Sequence, residues 1–110
     1  MSLATEYCIP NAPAMPAEDT VKLAAGQLDR WQVLGTQLEK NFQFANYYET
    51  MAFVNAVAWI ANSQDHHPDL AVGYNHCRVI WTTHSAGGLT RNDFICAARV
   101  DALFPEYGPE

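Results

Sequence analysis

Alternation of apolar and polar residues occurs twice in this chain, and each time a helix-like stretch follows it. From Trp31 to Phe44 the string WQVLGTQLEKNFQF has Leu38, Phe42 and Phe44 spaced for one face, with Gly35-Thr36 placed to turn the chain. The pattern returns after Pro68. Strands are expected over roughly Ala71 to Tyr74 and His76 to Thr83, joined by a very tight connection, with Cys77, Val79 and Trp81 alternating with Arg78, Ile80 and Thr82. Two hairpins imply an antiparallel sheet, and its apolar face must be buried against another layer.

Helices supply that layer. A short one is expected from about Ala17 to Ala25, where Glu18 and Asp19 in the first turn suit the positive end of the helix dipole. Asn46 with Glu49 forms a helix-start signal for a run to about Gln64. In that run Met51, Phe53, Val54, Ala56, Val57, Ala58, Ile60 and Ala61 cover most of the circumference and leave Asn55 and Asn62 on the remaining strip. One sheet cannot bury so wide a face, so a second packing partner, from another subunit, is expected. Gly87-Gly88 ends the second hairpin, and Thr90 with Asp93 is a capping signal for a final helix to about Phe104, stopping before Pro105. The order helix, hairpin, helix, hairpin, helix implies an α+β fold: a four-stranded antiparallel sheet with three helices packed on it. Residues 1–16, with Pro10, Pro13 and Pro16, read as an irregular N-terminal arm, and 17–110 as one domain.

At 110 residues and 49% hydrophobic content the chain suits one core. Its net charge of -6, with only six Lys and Arg spread singly, offers no basic stripe for a phosphate backbone, so direct nucleic-acid binding is not expected. The apolar stretch Met51 to Ala61 falls well short of the roughly 20 residues that cross a bilayer. With no positive charge before Lys22 and no continuous apolar block, the start does not read as a secretory signal, and a cytoplasmic location is expected. Cys8, Cys77 and Cys96 are odd in number and lack CxxC spacing, which argues against a disulfide framework or a zinc ribbon. Cys77 and Cys96 read as small packed hydrophobes, and Cys8 stays unassigned.

Three of the four histidines flank the second hairpin, His66 and His67 at its entry and His84 at its exit. Pro68 biases His67 towards an extended conformation, in which adjacent side chains diverge, so His66 and His67 are not expected to grip one metal ion. Each residue also has a plain structural reading. His66 or His67 could bond the last carbonyls of the preceding helix, and His84 could simply end a strand. Capping accounts for Asp93, His76 reads as an exposed turn residue, and Trp81 and Tyr74 as core or edge packing. Composition and spacing end at an α+β domain with a candidate histidine site.

The strings DHHPDL, GYN and THSAGGLTRNDFICAARVDAL resemble the pterin-4a-carbinolamine dehydratase family, and the likeness extends over Ala17 to Leu103. The family pattern of His, His, Pro, an aromatic residue, His and Asp is met by His66, His67, Pro68, Tyr74, His84 and Asp93. Asn62 departs from it, standing where a charged residue is usual four positions before the first His. The resemblance implies dehydration of 4a-hydroxytetrahydrobiopterin to quinonoid dihydropterin, recycling the tetrahydropterin of aromatic amino-acid hydroxylases without a metal or other cofactor. It further implies acid and base roles for His66 and His84, a pterin-orienting role for His67, and Asp93 near the site, holding a histidine. Substrate contacts are expected from His66, His67, Pro68, Thr83, His84, Ser85 and Ala86, association as a homodimer or homotetramer, and a hydroxylase as a candidate partner. Two other functions attach to the same resemblance: a non-catalytic dimerisation or transcriptional coactivator protein, and a role with another pterin of the molybdopterin type.

Overall fold

The first alternating stretch forms strands β1 (Gln32–Leu34) and β2 (Gln37–Gln43), turned by Gly35 at φ 62. The computed structural model describes residues 2–104 of the chain. Around this hairpin lie helix α1 (Ala17–Gln27) before it, helix α2 (Tyr47–Gln64) after it, strands β3 (Asp69–Val72) and β4 (His76–Trp81), and helix α3 (Arg91–Asp101). The four strands form one antiparallel sheet in the order β1-β2-β4-β3, so the two hairpins join through β2 and β4. This is the expected α+β architecture.

The register explains which face is buried. Leu38 lies opposite Trp81, and Phe42 opposite Cys77, with Lys40 and Val79 paired between them on the same face. Leu38, Cys77, Val79 and Trp81 are fully buried against the helices, joined there by Phe53, Val57 and Ile60 of α2 and by Phe94, Ile95 and Val100 of α3. The opposite face carries Asn41, Gln43, Arg78 and His76, all exposed. Phe44 and Phe104 close one end of the core against Phe53, with ring centroids 5.1 and 5.7 Å away.

Several boundaries differ from those expected. Strand β3 starts two residues earlier than Ala71 and ends before Gly73, paired so that Leu70, opposite Val79, packs against the core while Val72, opposite Cys77, stays exposed. His76 is exposed and opens β4, as the expected strand start has it, and pairs with Gln43; the turn placement also read for it is not the one adopted. Strand β4 stops at Trp81, short of Thr83. Helix α3 ends at Asp101 because the chain leaves it through 3₁₀-type bonds, Leu103 to Val100 and Phe104 to Asp101, that swing the Phe104 ring onto Phe42 at 5.9 Å. The domain's expected extent to residue 110 runs past the described residues.

Helix α2 begins as its cap predicts, with the Asn46 side chain accepting from the Glu49 N–H at 2.9 Å. It ends at Asp65, which adopts the left-handed conformation (φ 52, ψ 44), and the His66 N–H then bonds back to the Ala61 carbonyl at 3.1 Å. That terminal turn fixes the backbone of His66. Along the outward strip, Tyr48 is 87% exposed and Trp59 71% exposed, beside Asn55 and Asn62. Among the described residues no helix is long and apolar enough to cross a membrane.

The N-terminal arm is irregular apart from a single 3₁₀ turn, Leu3–Thr5, yet it is firmly packed. Leu3 is buried, Arg91 forks onto the Glu6 carboxylate with both bonds at 2.7 Å, and Asn92 both donates to and accepts from the backbone of Ile9. Cys8 donates its N–H to the Gln64 side chain at 2.8 Å. The arm therefore bridges the end of α2 and the start of α3.

Candidate active site

Asp93 organises the histidine region. It is the third residue of α3, and its fully buried carboxylate caps that helix by accepting the Thr90 N–H at 2.9 Å. The same oxygen, Oδ2, accepts the Thr83 hydroxyl at 2.7 Å, while Oδ1 lies 2.6 Å from Nε2 of His66. A buried carboxylate needs several donors to offset its lost hydration, and three are supplied here. Since Thr83 donates to Asp93, its 2.9 Å contact with Thr90 requires the Thr90 hydroxyl to donate, while the Asp93 N–H bonds the Thr90 carbonyl at 3.1 Å. Hydroxyls and carboxylate are thus locked into one polarity.

His66 leaves the end of α2 pointing towards α3 and lies parallel to the Trp81 ring, with centroids 5.7 Å apart and planes 10° apart. Burial disfavours its charged form, but the Asp93 hydrogen bond and charge more than offset this, with further help from Cys8 and Asp65, so His66 titrates above the ordinary histidine range. Beneath it, Trp81 is fully buried, and its Nε1–H has no hydrogen-bond partner among the described residues.

His67 is exposed on the other side of the chain, its Nε2 3.3 Å from the Asn62 side-chain oxygen one turn back in α2. Asn62 therefore offers the imidazole a neutral acceptor where a carboxylate would give a charged one. His84 opens a 3₁₀ turn, His84–Ala86, directly after Thr83. Its side chain and that of Ser85 are exposed and make no hydrogen bond among the described residues. The structure thus joins His66, Thr83, Thr90 and Asp93 by direct contacts, places His84, Ser85 and Ala86 next to them along the chain, and leaves His67 and Pro68 on the adjoining segment. Tyr74 lies apart from this set, stacked on Tyr47 at 6.4 Å.

Two features escaped sequence reasoning. Thr90 was legible as a cap, but its bond to Thr83 depends on β4 meeting α3. A groove of about 650 Å³ opens elsewhere, lined by Asp29, Lys40, Phe42, Asp101 and Phe104 among others and by no histidine. At its edge Asp101 accepts both the Trp31 indole N–H and the Lys40 ammonium at 3.0 Å.

Fold and site together define a small α+β domain whose sheet end carries a carboxylate-backed histidine. The family model for pterin 4 alpha carbinolamine dehydratase matches residues 13–103, and the chain belongs to that family. A protein of Nitrosospira multiformis is 56% identical over 104 residues, covering 93% of this chain and 92% of its own, and one of Chromobacterium violaceum is 54% identical over 105 residues, covering 94% and 97%. Both carry the name pterin-4-alpha-carbinolamine dehydratase as a provisional assignment. Among solved structures, a transcriptional coactivator/pterin dehydratase from Brucella melitensis superposes with a TM-score of 0.72 at 29% identity, over 83% of this chain and 97% of that one. A pterin dehydratase-like protein described as a RuBisCO assembly factor of the alpha-carboxysome superposes at 0.58 with 30% identity, over 69% and 88%.

Proposed function

We propose that this protein dehydrates 4a-hydroxytetrahydropterins such as 4a-hydroxytetrahydrobiopterin to the quinonoid dihydropterin by histidine acid–base catalysis, recycling the tetrahydropterin of aromatic amino-acid hydroxylases. The observation that carries the reading is the 2.6 Å contact between His66 and the buried Asp93. Loss of water requires a proton at the hydroxyl leaving C4a and removal of the proton from N5. Because Asp93 occupies Nε2 and favours the imidazolium, Nδ1 of His66 is the atom able to give its proton to the leaving oxygen. His84, exposed and without a side-chain hydrogen bond among the described residues, takes the proton from N5, so the released water and the quinonoid product balance the substrate. His67, steadied by Asn62, orients the pterin, with Pro68, Thr83, Ser85 and Ala86 forming the remaining contacts.

The outward strip of α2, with Tyr48 and Trp59 largely exposed, supports a homodimer or homotetramer in which a second copy covers it. The same strip favours one other reading, a coactivator-like protein that acts through this surface; the Brucella melitensis structure is described as a transcriptional coactivator/pterin dehydratase.

The test is the rate of water loss from freshly generated 4a-hydroxytetrahydrobiopterin, with and without the protein, and with His84→Ala. Acceleration that falls about 10²- to 10⁴-fold in the variant supports the acid–base assignment. No acceleration by folded wild-type protein would move the reading to the coactivator.

A further inference from the structure

No chemical step of the dehydration is assigned to Cys8 or Cys96. One lies in the N-terminal arm and the other in α3, 88 positions apart, yet their sulfurs are 3.6 Å from each other. Cys8 is half-buried and its sulfur also lies 3.6 Å from the Asn92 carbonyl, whereas Cys96 is fully buried. Cys77, the remaining thiol, is buried in β4 and has no such neighbour among the described residues.

The geometry points to Cys8 and Cys96 as a reversible dithiol–disulfide pair, closed by a hydroperoxide, that staples the arm to α3. The two thiols differ as such a pair needs. The contact with Cys96, in which either sulfur can donate, holds the Cys8 thiol below its usual range in spite of burial, with help from His66 and Arg99. The same contact and burial push Cys96 far up. Cys8, only half-buried where Cys96 is fully covered, is therefore the sulfur that a hydroperoxide reaches and the attacking one. Its thiolate attacks the distal oxygen of the hydroperoxide, the S–O bond forms as the O–O bond breaks, and the departing alkoxide takes a proton, giving a sulfenic acid and an alcohol, or water when the oxidant is hydrogen peroxide. The Cys96 sulfur then attacks Cys8, the S–S bond forms, and the sulfenic oxygen leaves as water. Two thiols lose two electrons and two protons, and one peroxide bond is reduced.

The sulfurs must close from 3.6 Å to about 2.05 Å, and the arm around Cys8 is already seated by the bonds of Cys8 to Gln64 and of Ile9 to Asn92. In a reducing compartment such a bond is transient, as a redox-responsive one should be.

The test is to treat the full chain with one equivalent of hydrogen peroxide, titrate free thiols after denaturation, and map the unreduced digest by mass spectrometry. Free thiols should fall from three to one, with a peptide joined through Cys8 and Cys96 and Cys77 left reduced, and dithiothreitol should restore all three. Cys8→Ser, at a half-exposed position, should abolish the loss and leave Cys96 reduced at the same dose. Survival of all three thiols, cross-linking between chains through Cys8, accumulation of Cys8 sulfinic acid beside reduced Cys96, or unchanged thiol loss in Cys8→Ser would each overturn the proposal.

Discussion

Asp93 holds His66 at 2.6 Å with one carboxylate oxygen and the first turn of its own helix with the other. A single side chain thus ties the end of α2 to the start of α3 across 27 positions. Asp93→Asn keeps the shape and removes the charge. His66 should then titrate below its wild-type midpoint, because burial is left with less opposition, and stability should drop by about 1–3 kcal/mol. Proton NMR titration of the imidazole together with urea unfolding checks both, and an unmoved midpoint would show that Asp93 does not set the charge of His66.

The same pair makes stability depend on pH, with a defined sign. The folded midpoint of His66 is raised, so the folded chain binds this proton more tightly than the unfolded one. Its contribution is complete below the unfolded value of about 6.5 and is lost as pH rises through the folded midpoint. The difference in urea midpoint between wild type and His66→Gln should therefore be greatest below about pH 6.5 and narrow as pH rises through the raised folded midpoint. A difference that widens with pH would reverse the assignment.

Lys40 reaches two carboxylates, and they should matter unequally. Asp101 is 3.0 Å away and its side chain only 21% exposed, whereas Asp29 is 3.8 Å away and 68% exposed. Asp101→Asn also weakens the bond from Trp31 and leaves the largely covered ammonium poorly paired, which should cost about 1–3 kcal/mol. Asp29→Asn should stay within about 0.5 kcal/mol. Thermal unfolding of the two variants side by side checks the ranking.

Trp59→Asp examines the outward strip of α2. The side chain is 71% exposed, so the monomer fold should persist within about 0.5 kcal/mol. Light scattering should show an oligomer for the wild type and a smaller species for the variant. Equal masses would remove this strip from the interface.

What could be read from the sequence follows from how local each interaction is. Asn46 with Glu49 and Thr90 with Asp93 act over three positions, so their caps were legible, as was the alternation that buries Cys77, Val79 and Trp81. The join between β2 and β4 was not, because nothing near Phe42 or Cys77 states that they lie opposite each other. The two-residue error in β3 has the same origin: Leu70 and Val72 are apolar, but only their partners in β4 show which way they face. Asp93 read as a cap is correct and incomplete, since its second oxygen serves a histidine that arrives from another helix. The thiol pair lay beyond reach because Cys8 and Cys96 meet only after the arm has crossed α3.

That crossing also bears on how the chain reaches its final shape. Ile9 meets Asn92 and Glu6 meets Arg99, pairings separated by 83 and 93 positions. The arm leaves the ribosome long before the helix it needs, and closing so large a loop comes at an entropic cost before any contact repays it. Docking of the arm is accordingly expected among the last steps of folding, after the sheet and α2 have met. Until then the new chain keeps the Leu3 side chain uncovered, an interval in which a chaperone has a hydrophobic end to hold.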